Sequence, residues 1–312
     1  MLKYLVILLD DSSISYCCYS NSKESRLMPL ETVQKAIVFA MKNDLRIQYV
    51  LPPYELPKSY NNLMNSMFHD NIGSIGQEDL ADIMIINGIT AMKGKRLQSD
   101  KRYLVRTSIQ SFFANSELLK EAFSHNVSIN IVFTDVDSFS DEDVQEYERV
   151  LDDLARYLHE LILKGYQVNS NLLTDRIALD DMNNCGAGDT SITLAPNGKF
   201  YPCPGFYYDN DKYCEAGDID SGVAIKNMKL FTLMGAPLCK RCDAYHCKRC
   251  VWLNKKLTCE VNIPSRQQCV MAHVERNASK RLLEEFQKQG LLTDKNIDNI
   301  DYLDPFDEYQ GL

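Results

Sequence analysis

The chain has no apolar stretch long enough to cross a bilayer. The run Tyr4–Leu9 stops after six residues at Asp10-Asp11, too short for a membrane span or for the apolar centre of an export signal. The expected compartment is therefore the reducing cytoplasm. Basic charge is in deficit: 34 Lys and Arg against 43 Asp and Glu give a formal net charge of −9. A field of that sign excludes nucleic acid and anionic membrane as main partners and leaves room for a neutral or cationic peptide. Cysteine is absent from residues 19–184, although the chain holds 11. Cys17 and Cys18 stand alone near the start, and the other nine crowd between 185 and 269. An odd total and a cytoplasmic setting favour metal ligands over a disulfide framework.

The first 175 residues alternate strand-like and helix-like patterns. Lys3–Leu9 is an apolar run of strand length. Pro29 then opens a helix with Val33, Ile37, Ala40 and Met41 on one face. Arg46–Leu51, Ala81–Asn87, Arg102–Thr107 and Ser128–Thr134 read as further strands, with helices around 58–68 and 111–125 between them. Ser140, with Asp143 three residues on, starts the clearest helix. Its stripe is Val144, Tyr147, Leu151, Leu154, Leu158 and Leu161, and Gly165 ends it. Gln167–Asn171 reads as a last short strand. The alternation predicts an α/β fold, a partial (β/α) barrel of about six units, too few to close an eight-fold barrel. Ligands of such sheets gather at the strands' carboxyl ends, where Asp10, Asp11, Glu55, Asn87, Arg106, Asp135 and Asn169 are candidates. Most would equally serve as caps and loop residues. Asp10-Asp11 reads as a cation site, or equally as helix-capping or solvated charges.

Past Arg176 the periodicity fails and a small cysteine-rich domain is expected over 177–278, after a barrel over 1–176. A helix from Ser279 to Gly290 and a loosely attached acidic tail complete the chain over 279–312. Cys185 and Cys203 are written C-x12-G-x4-C. The turn Pro196-Asn197-Gly198, between Ile192–Leu194 and Phe200–Tyr201, predicts a hairpin that brings these two thiols together. Cys214 follows. The second group is Cys239-x2-Cys242-x4-Cys247-x2-Cys250, then Cys259 and Cys269. A C-x2-C loop lets two sulfurs reach one ion or cluster with little strain. Two such loops four residues apart suit shared iron–sulfur sites better than one zinc ribbon. Zinc, with His246 as a further ligand, is the alternative. Trp252 is expected in the metal domain's core, and the tyrosines at 201, 207, 208 and 213 in hairpin packing or peptide contact.

This cysteine pattern resembles the SPASM domain, which follows the partial barrel of many radical SAM enzymes that modify ribosomal peptides. The resemblance implies one or two auxiliary [4Fe–4S] clusters. Its usual central block is C-x2-C-x5-C-x3-C, and this chain is one residue shorter in both later gaps. Carried over by position, Cys185, Cys203 and Cys250 serve one cluster, with Cys214 as candidate fourth ligand. Cys239, Cys242 and Cys247 serve the other, completed by Cys269, with Cys259 as the alternative. A radical SAM enzyme also needs C-x3-C-x2-C after the first strand. Here the frame reads Ser13-x3-Cys17-x2-Ser20, and hydroxyls are poor iron–sulfur ligands. S-adenosylmethionine is therefore not expected as a cofactor. The vicinal Cys17-Cys18 is either packing or a reactive pair.

A barrel of this kind without the three cysteines is similar to the CXXX repeat peptide maturase family. The likeness lies in the runs Tyr4–Asp11 and Arg26-Leu27-Met28-Pro29-Leu30-Glu31, and in Asn262–Cys269. It implies maturation of a ribosomally made peptide with cysteine at every fourth position. The expected partners are that cysteine-rich precursor peptide and a second protein of the modification system. The competing reading is a non-catalytic peptide-binding scaffold for a partner enzyme, with structural zinc or iron–sulfur sites.

Overall fold

The computed structural model describes residues 1–21 and 23–307. The chain runs β1 (Tyr4–Leu8), α1 (Leu30–Lys42), β2 (Arg46–Val50), α2 (Lys58–Met64), β3 (His69–Ser74) and β4 (Ile83–Asn87). It continues with β5 (Arg102–Thr107), α3 (Ile109–Asn115), α4 (Glu117–Phe123), β6 (Ser128–Phe133), α5 (Asp143–Leu163), β7 (Asn169–Ser170) and α6 (Asp175–Ala178). Then come β8 (Ser191–Leu194), β9 (Phe200–Tyr201), α7 (Pro204–Tyr208), β10 (Gly217–Asp218), β11 (Gly222–Val223), α8 (Val251–Thr258) and α9 (Arg266–Lys288). Nine of the strands form one mostly parallel sheet, an α/β fold as expected. No helix among the described residues is long and apolar enough to cross a membrane.

Two compact units divide the chain, and each is built from separated segments. One comprises Met1–Ile85 with Cys185–Gly235, the other Ile86–Asn184 with Ala236–Leu312. In the first unit β1 lies between parallel neighbours β2 and β8. That position explains its unbroken apolar sequence, because a strand covered on both faces has no polar side. Leu5, Ile7, Val33, Ala36, Ile37 and Ala40 share one core, each large side chain contributing roughly 1.5–3 kcal/mol by its burial. β3 was not legible in sequence. His-Asp-Asn-Ile-Gly-Ser is poor in β-branched residues and becomes a strand by pairing with β2 and β4.

The hairpin of β8 and β9 forms as expected, antiparallel with Thr193 opposite Tyr201. Gly198 sits at φ +78° in its turn, a conformation glycine adopts without cost. Lys199 N–H donates to Asn197 Oδ1 at 3.1 Å.

In the second unit α5 buries the predicted stripe from Tyr147 to Leu161, with Val144 half-buried, and packs on α9. Gly165, at φ +86°, follows its last turn. The Ser140–Asp143 pair is present, Asp143 Oδ2 accepting from both Ser140 N–H and Oγ at 2.9 Å. The last helix starts earlier than expected, at Arg266 and not Ser279. Ser265 Oγ accepts from Gln268 N–H at 3.3 Å as its cap, and Val270, Met271, Val274 and Ala278 extend the buried face.

The tail beyond α9 is also held more firmly than expected. Lys295 pairs with Asp180 at 2.8 Å, Arg276 donates to the carbonyl of Asp298 at 2.5 Å, and Lys280 to Asn299 at 3.0 Å. Residues 308–312 of that tail lie outside the described residues.

Candidate metal centre and the loop after the first strand

Four of the expected thiols meet in the second unit. Cys239, Cys242, Cys247 and Cys269 line one cavity of about 80 Å³, room for several waters. Its other walls are mostly apolar, including Leu238, Ala244, Pro264 and Ala272. Short local bonds fold the segment. Cys242 N–H donates to the Cys239 carbonyl at 3.1 Å, and Cys247 N–H to that of Ala244 at 2.9 Å. Cys269 lies in the first turn of α9, and His273, one turn later, donates Nδ1–H to the Cys269 carbonyl at 2.9 Å.

Burial pushes the thiols up, Cys239 to about 11 and Cys269 to about 12. Cys247 rises further, by burial first and then by the surrounding thiol charges. Cys242 rises less, because Ala244 N–H bonds its sulfur at 3.4 Å and the Tyr302 hydroxyl stands 3.8 Å away. Beside it stands Asp243. Burial opposes its charge, but hydrogen bonds from Arg276 (2.6 and 2.7 Å), Tyr302 (2.5 Å) and Arg176 (3.0 Å) outweigh that. They hold the carboxyl far below the ordinary carboxylate range.

The remaining ligand candidates are placed differently. Cys250 caps α8, its Sγ accepting from Leu253 N–H at 3.5 Å. Cys259 is exposed at the end of α8 at φ +63°. His246, the extra ligand of the zinc reading, does not line the cavity. Its Nε2 meets Glu275 at 3.0 Å, and Glu275 also accepts from Tyr147 Oη at 2.6 Å. Trp252 is buried, as expected.

Cys185, Cys203 and Cys214 belong to the first unit. The β8–β9 register, continued two residues, sets Ser191 across from Cys203, and Ser191 Oγ lies 3.5 Å from the Cys185 carbonyl. Gly186 holds the turn after Cys185 at φ +72°, where a Cβ would stand 2.0 Å from Thr190 Oγ1. Burial first, then the thiols of Cys185 and Cys17, push Cys203 well up. Cys17 thus lies within electrostatic reach of Cys203, a proximity that no spacing rule revealed. Tyr19 stacks on Tyr208 with ring centroids 5.4 Å apart, laying the Cys17 loop on α7, which Cys203 precedes directly.

The loop after β1 is tightly hydrogen-bonded. Ser13 is fully buried, accepts from Asp10 N–H at 3.0 Å and donates to the Val50 carbonyl at 2.9 Å. Asp10 Oδ1 accepts from Ser12, and its Oδ2 from Tyr54 (2.7 Å) and Ser25 (3.1 Å). Asp11 takes Arg26 at 2.9 Å and the Tyr207 hydroxyl. Both carboxylates are buried and filled by protein donors, so they tie the loop together, and the cation, helix-cap and solvated-charge readings do not fit them. The other strand-end candidates act locally. Asn87 accepts from Arg106 at 2.7 Å, Asp135 accepts from Ile109 N–H at 3.0 Å, and Asn169 donates to Ser128 at 3.2 Å. Glu55 is exposed.

Tyr302, His273 and Asp243 were missed in sequence. The spacing of Cys269 and His273, four apart on one helix face, was the one available signal.

No protein-family model matches the chain, and no curated protein matches it either. Solved structures do. Hexahistidine-tagged anSMEcpe with bound AdoMet superposes with TM-score 0.60 at 13% identity, covering 91% of this chain and 96% of that one. Native anSMEcpe with bound AdoMet and Cp18Cys peptide gives TM-score 0.58 at 12% identity, over 92% and 99%. The same protein with Kp18Cys peptide gives TM-score 0.58 at 12% identity, over 91% and 99%. This chain is similar to them in fold over nearly its full length.

The donor set of the second-unit cavity fits an iron–sulfur cluster. Four thiols surround it and no carboxylate lines it, a soft site of the kind that selects such clusters or zinc. Among the described residues no three His, Cys, Asp or Glu side chains converge tightly enough for a single ion. A cluster, whose irons lie apart, reaches thiols spread more widely. The loop after β1 does not fit the cluster that binds S-adenosylmethionine, because Ser13 is consumed by structural hydrogen bonds and Ser20 carries no sulfur.

Proposed function

We propose that this protein serves the maturation of a ribosomally made, cysteine-rich peptide, with iron–sulfur clusters on its C-terminal thiols. The observation that carries the reading is the cavity lined by Cys239, Cys242, Cys247 and Cys269. Those four would hold one cluster. Cys185, Cys203 and Cys214 would serve another, in a SPASM-like region over 177–278 that follows a radical-SAM-like barrel over 1–176. Such a cluster supplies an iron site for a substrate thiolate or a path for electrons. The chain's own groups do the rest. Burial keeps the thiols protonated until loading releases their protons, and Asp243, fixed by Arg176 and Arg276, holds the Cys242 backbone in place. The fold likeness to a protein solved with bound peptides supports a peptide as partner.

A second reading, a non-catalytic scaffold that presents the peptide to a partner enzyme, is favoured by Ser13. Its hydrogen bonds make the loop after β1 a clasp and leave no frame there for reductive chemistry on S-adenosylmethionine. Anaerobic purification with metal and acid-labile sulfide analysis tests the shared premise. About four iron and four sulfide per cluster are expected, and zinc alone would sink the iron–sulfur reading. Incubating loaded protein with a CXXX repeat peptide, reductant and S-adenosylmethionine then separates the two readings. A changed peptide mass supports the maturase, and binding without a mass change supports the scaffold.

A further inference from the structure

The thiol cavity is closed from one side by the segment after α9. Tyr302, Leu303 and Pro305 line it, although Leu303 itself is largely exposed. This segment has no regular secondary structure, so side-chain bonds hold it. Arg276 on α9 anchors it at the Asp298 carbonyl, and Lys280 at Asn299. The bond nearest the sulfurs is that of Tyr302, whose hydroxyl donates to Asp243 Oδ1 at 2.5 Å. The same oxygen stands 2.9 Å from His273 Nε2 and 3.8 Å from Cys242 Sγ. Its acceptor is a carboxylate already fixed by two arginines, so the bond is charge-assisted and short. Asp243 directly follows Cys242, so the bond ties the tail to the backbone beside that sulfur.

We propose that residues 301–305 are a lid over the Cys239–Cys242–Cys247–Cys269 cavity, and that the Tyr302–Asp243 hydrogen bond is the latch that shields the Cys242 sulfur and gates metal entry. Tyr302 acts here as a positioning residue, through Asp243. The gating half of the inference rests on the cavity being a metal site. The shielding half does not, because it applies to the bare thiols. A lid held by a few side-chain bonds opens far more often than the core unfolds. Loss of a hydrogen bond to a charged group raises the open population by about tenfold or more.

The test uses the full chain stripped of metal under reductant, comparing wild type with Tyr302→Phe. Iodoacetamide labelling is mapped by mass spectrometry, with exposed Cys259 as internal reference. Labelling of Cys242 and Cys269 should rise about tenfold in Tyr302→Phe, with Cys259 unchanged. Uptake of iron and sulfide in anaerobic reconstitution, followed by the cluster's visible absorbance, should quicken in parallel. Equal Cys242 labelling in the two proteins overturns the lid. Faster labelling with no iron and sulfide uptake in either protein keeps the lid and overturns the metal reading. Should Tyr302→Phe fail to fold, wild type decides. Hydrogen exchange of 299–307 and labelling of Cys242 must then report one opening rate, and two unrelated rates overturn the proposal.

Discussion

The hydroxyl of Ser13 donates to the main-chain carbonyl of Val50 at 2.9 Å and accepts from the amide of Asp10. A position that would carry a cluster thiolate in a radical SAM enzyme is spent instead on joining the loop after β1 to the end of β2. Both backbone groups are deep in the first unit, so their partner cannot be removed cheaply.

Replacing Ser13 by Ala should therefore cost about 1–3 kcal/mol, the penalty for buried groups left without a partner. Urea unfolding of the purified protein measures it. A cost near zero would mean that water or a neighbour takes over. The double change Ser13→Cys with Ser20→Cys should destabilise as well and add no iron after reconstitution.

Asp243 sets an acid limit on stability. Its folded carboxyl lies far below the unfolded value of 3.8. Its contribution is thus present above that value and lost as pH falls toward the folded one. Asp243→Asn leaves Arg176 and Arg276 without their anion and should cost roughly 3–5 kcal/mol at pH 7. The gap between variant and wild type should shrink below about pH 4. Thermal melts across pH 2–7 would show a constant gap if the assignment is wrong.

The thiols set an alkaline limit in metal-free protein. The folded values of Cys239 and Cys269, about 11 and about 12, lie above the unfolded value of 9.0. Raised values stabilise below the unfolded pKa, and the stability drains away as pH climbs from about 9 toward 11. The melting temperature of the stripped chain should fall over that window. Metal-loaded protein, whose sulfurs hold no protons, should not show the fall.

Among the cysteines, single alanine changes at 242, 247 or 269 should each abolish loading of the second-unit cavity. Cys259→Ala should leave the iron and sulfide content as it was, since Cys259 is exposed and away from the cavity. Loss of metal in Cys259→Ala alone would reverse the choice between Cys259 and Cys269.

Periodicity located the main parallel strands, α1, α5 and the β8–β9 hairpin, because each writes its burial into a local pattern of apolar residues and turn glycines. It failed where the pattern is not local. β3 is a strand only through its neighbours. The start of α9 was hidden among residues read as part of a cysteine loop, and the tail was read from its acidity when Arg276, Lys280 and Tyr302 decide its attachment.

By itself the sequence determined that nine thiols, soft donors by chemistry, crowd the C-terminal region, and that serines stand at 13 and 20 on either side of Cys17. Residue type and spacing suffice for that, since donor chemistry is a property of the side chain. Only the tertiary structure decided which thiols share a cavity, that Cys17 comes within electrostatic reach of Cys203, and that Tyr302 covers Cys242. The meetings of Cys17 and of Tyr302 join residues about 60 to 190 positions apart, and these depend on loop closure and packing and leave no trace in local spacing.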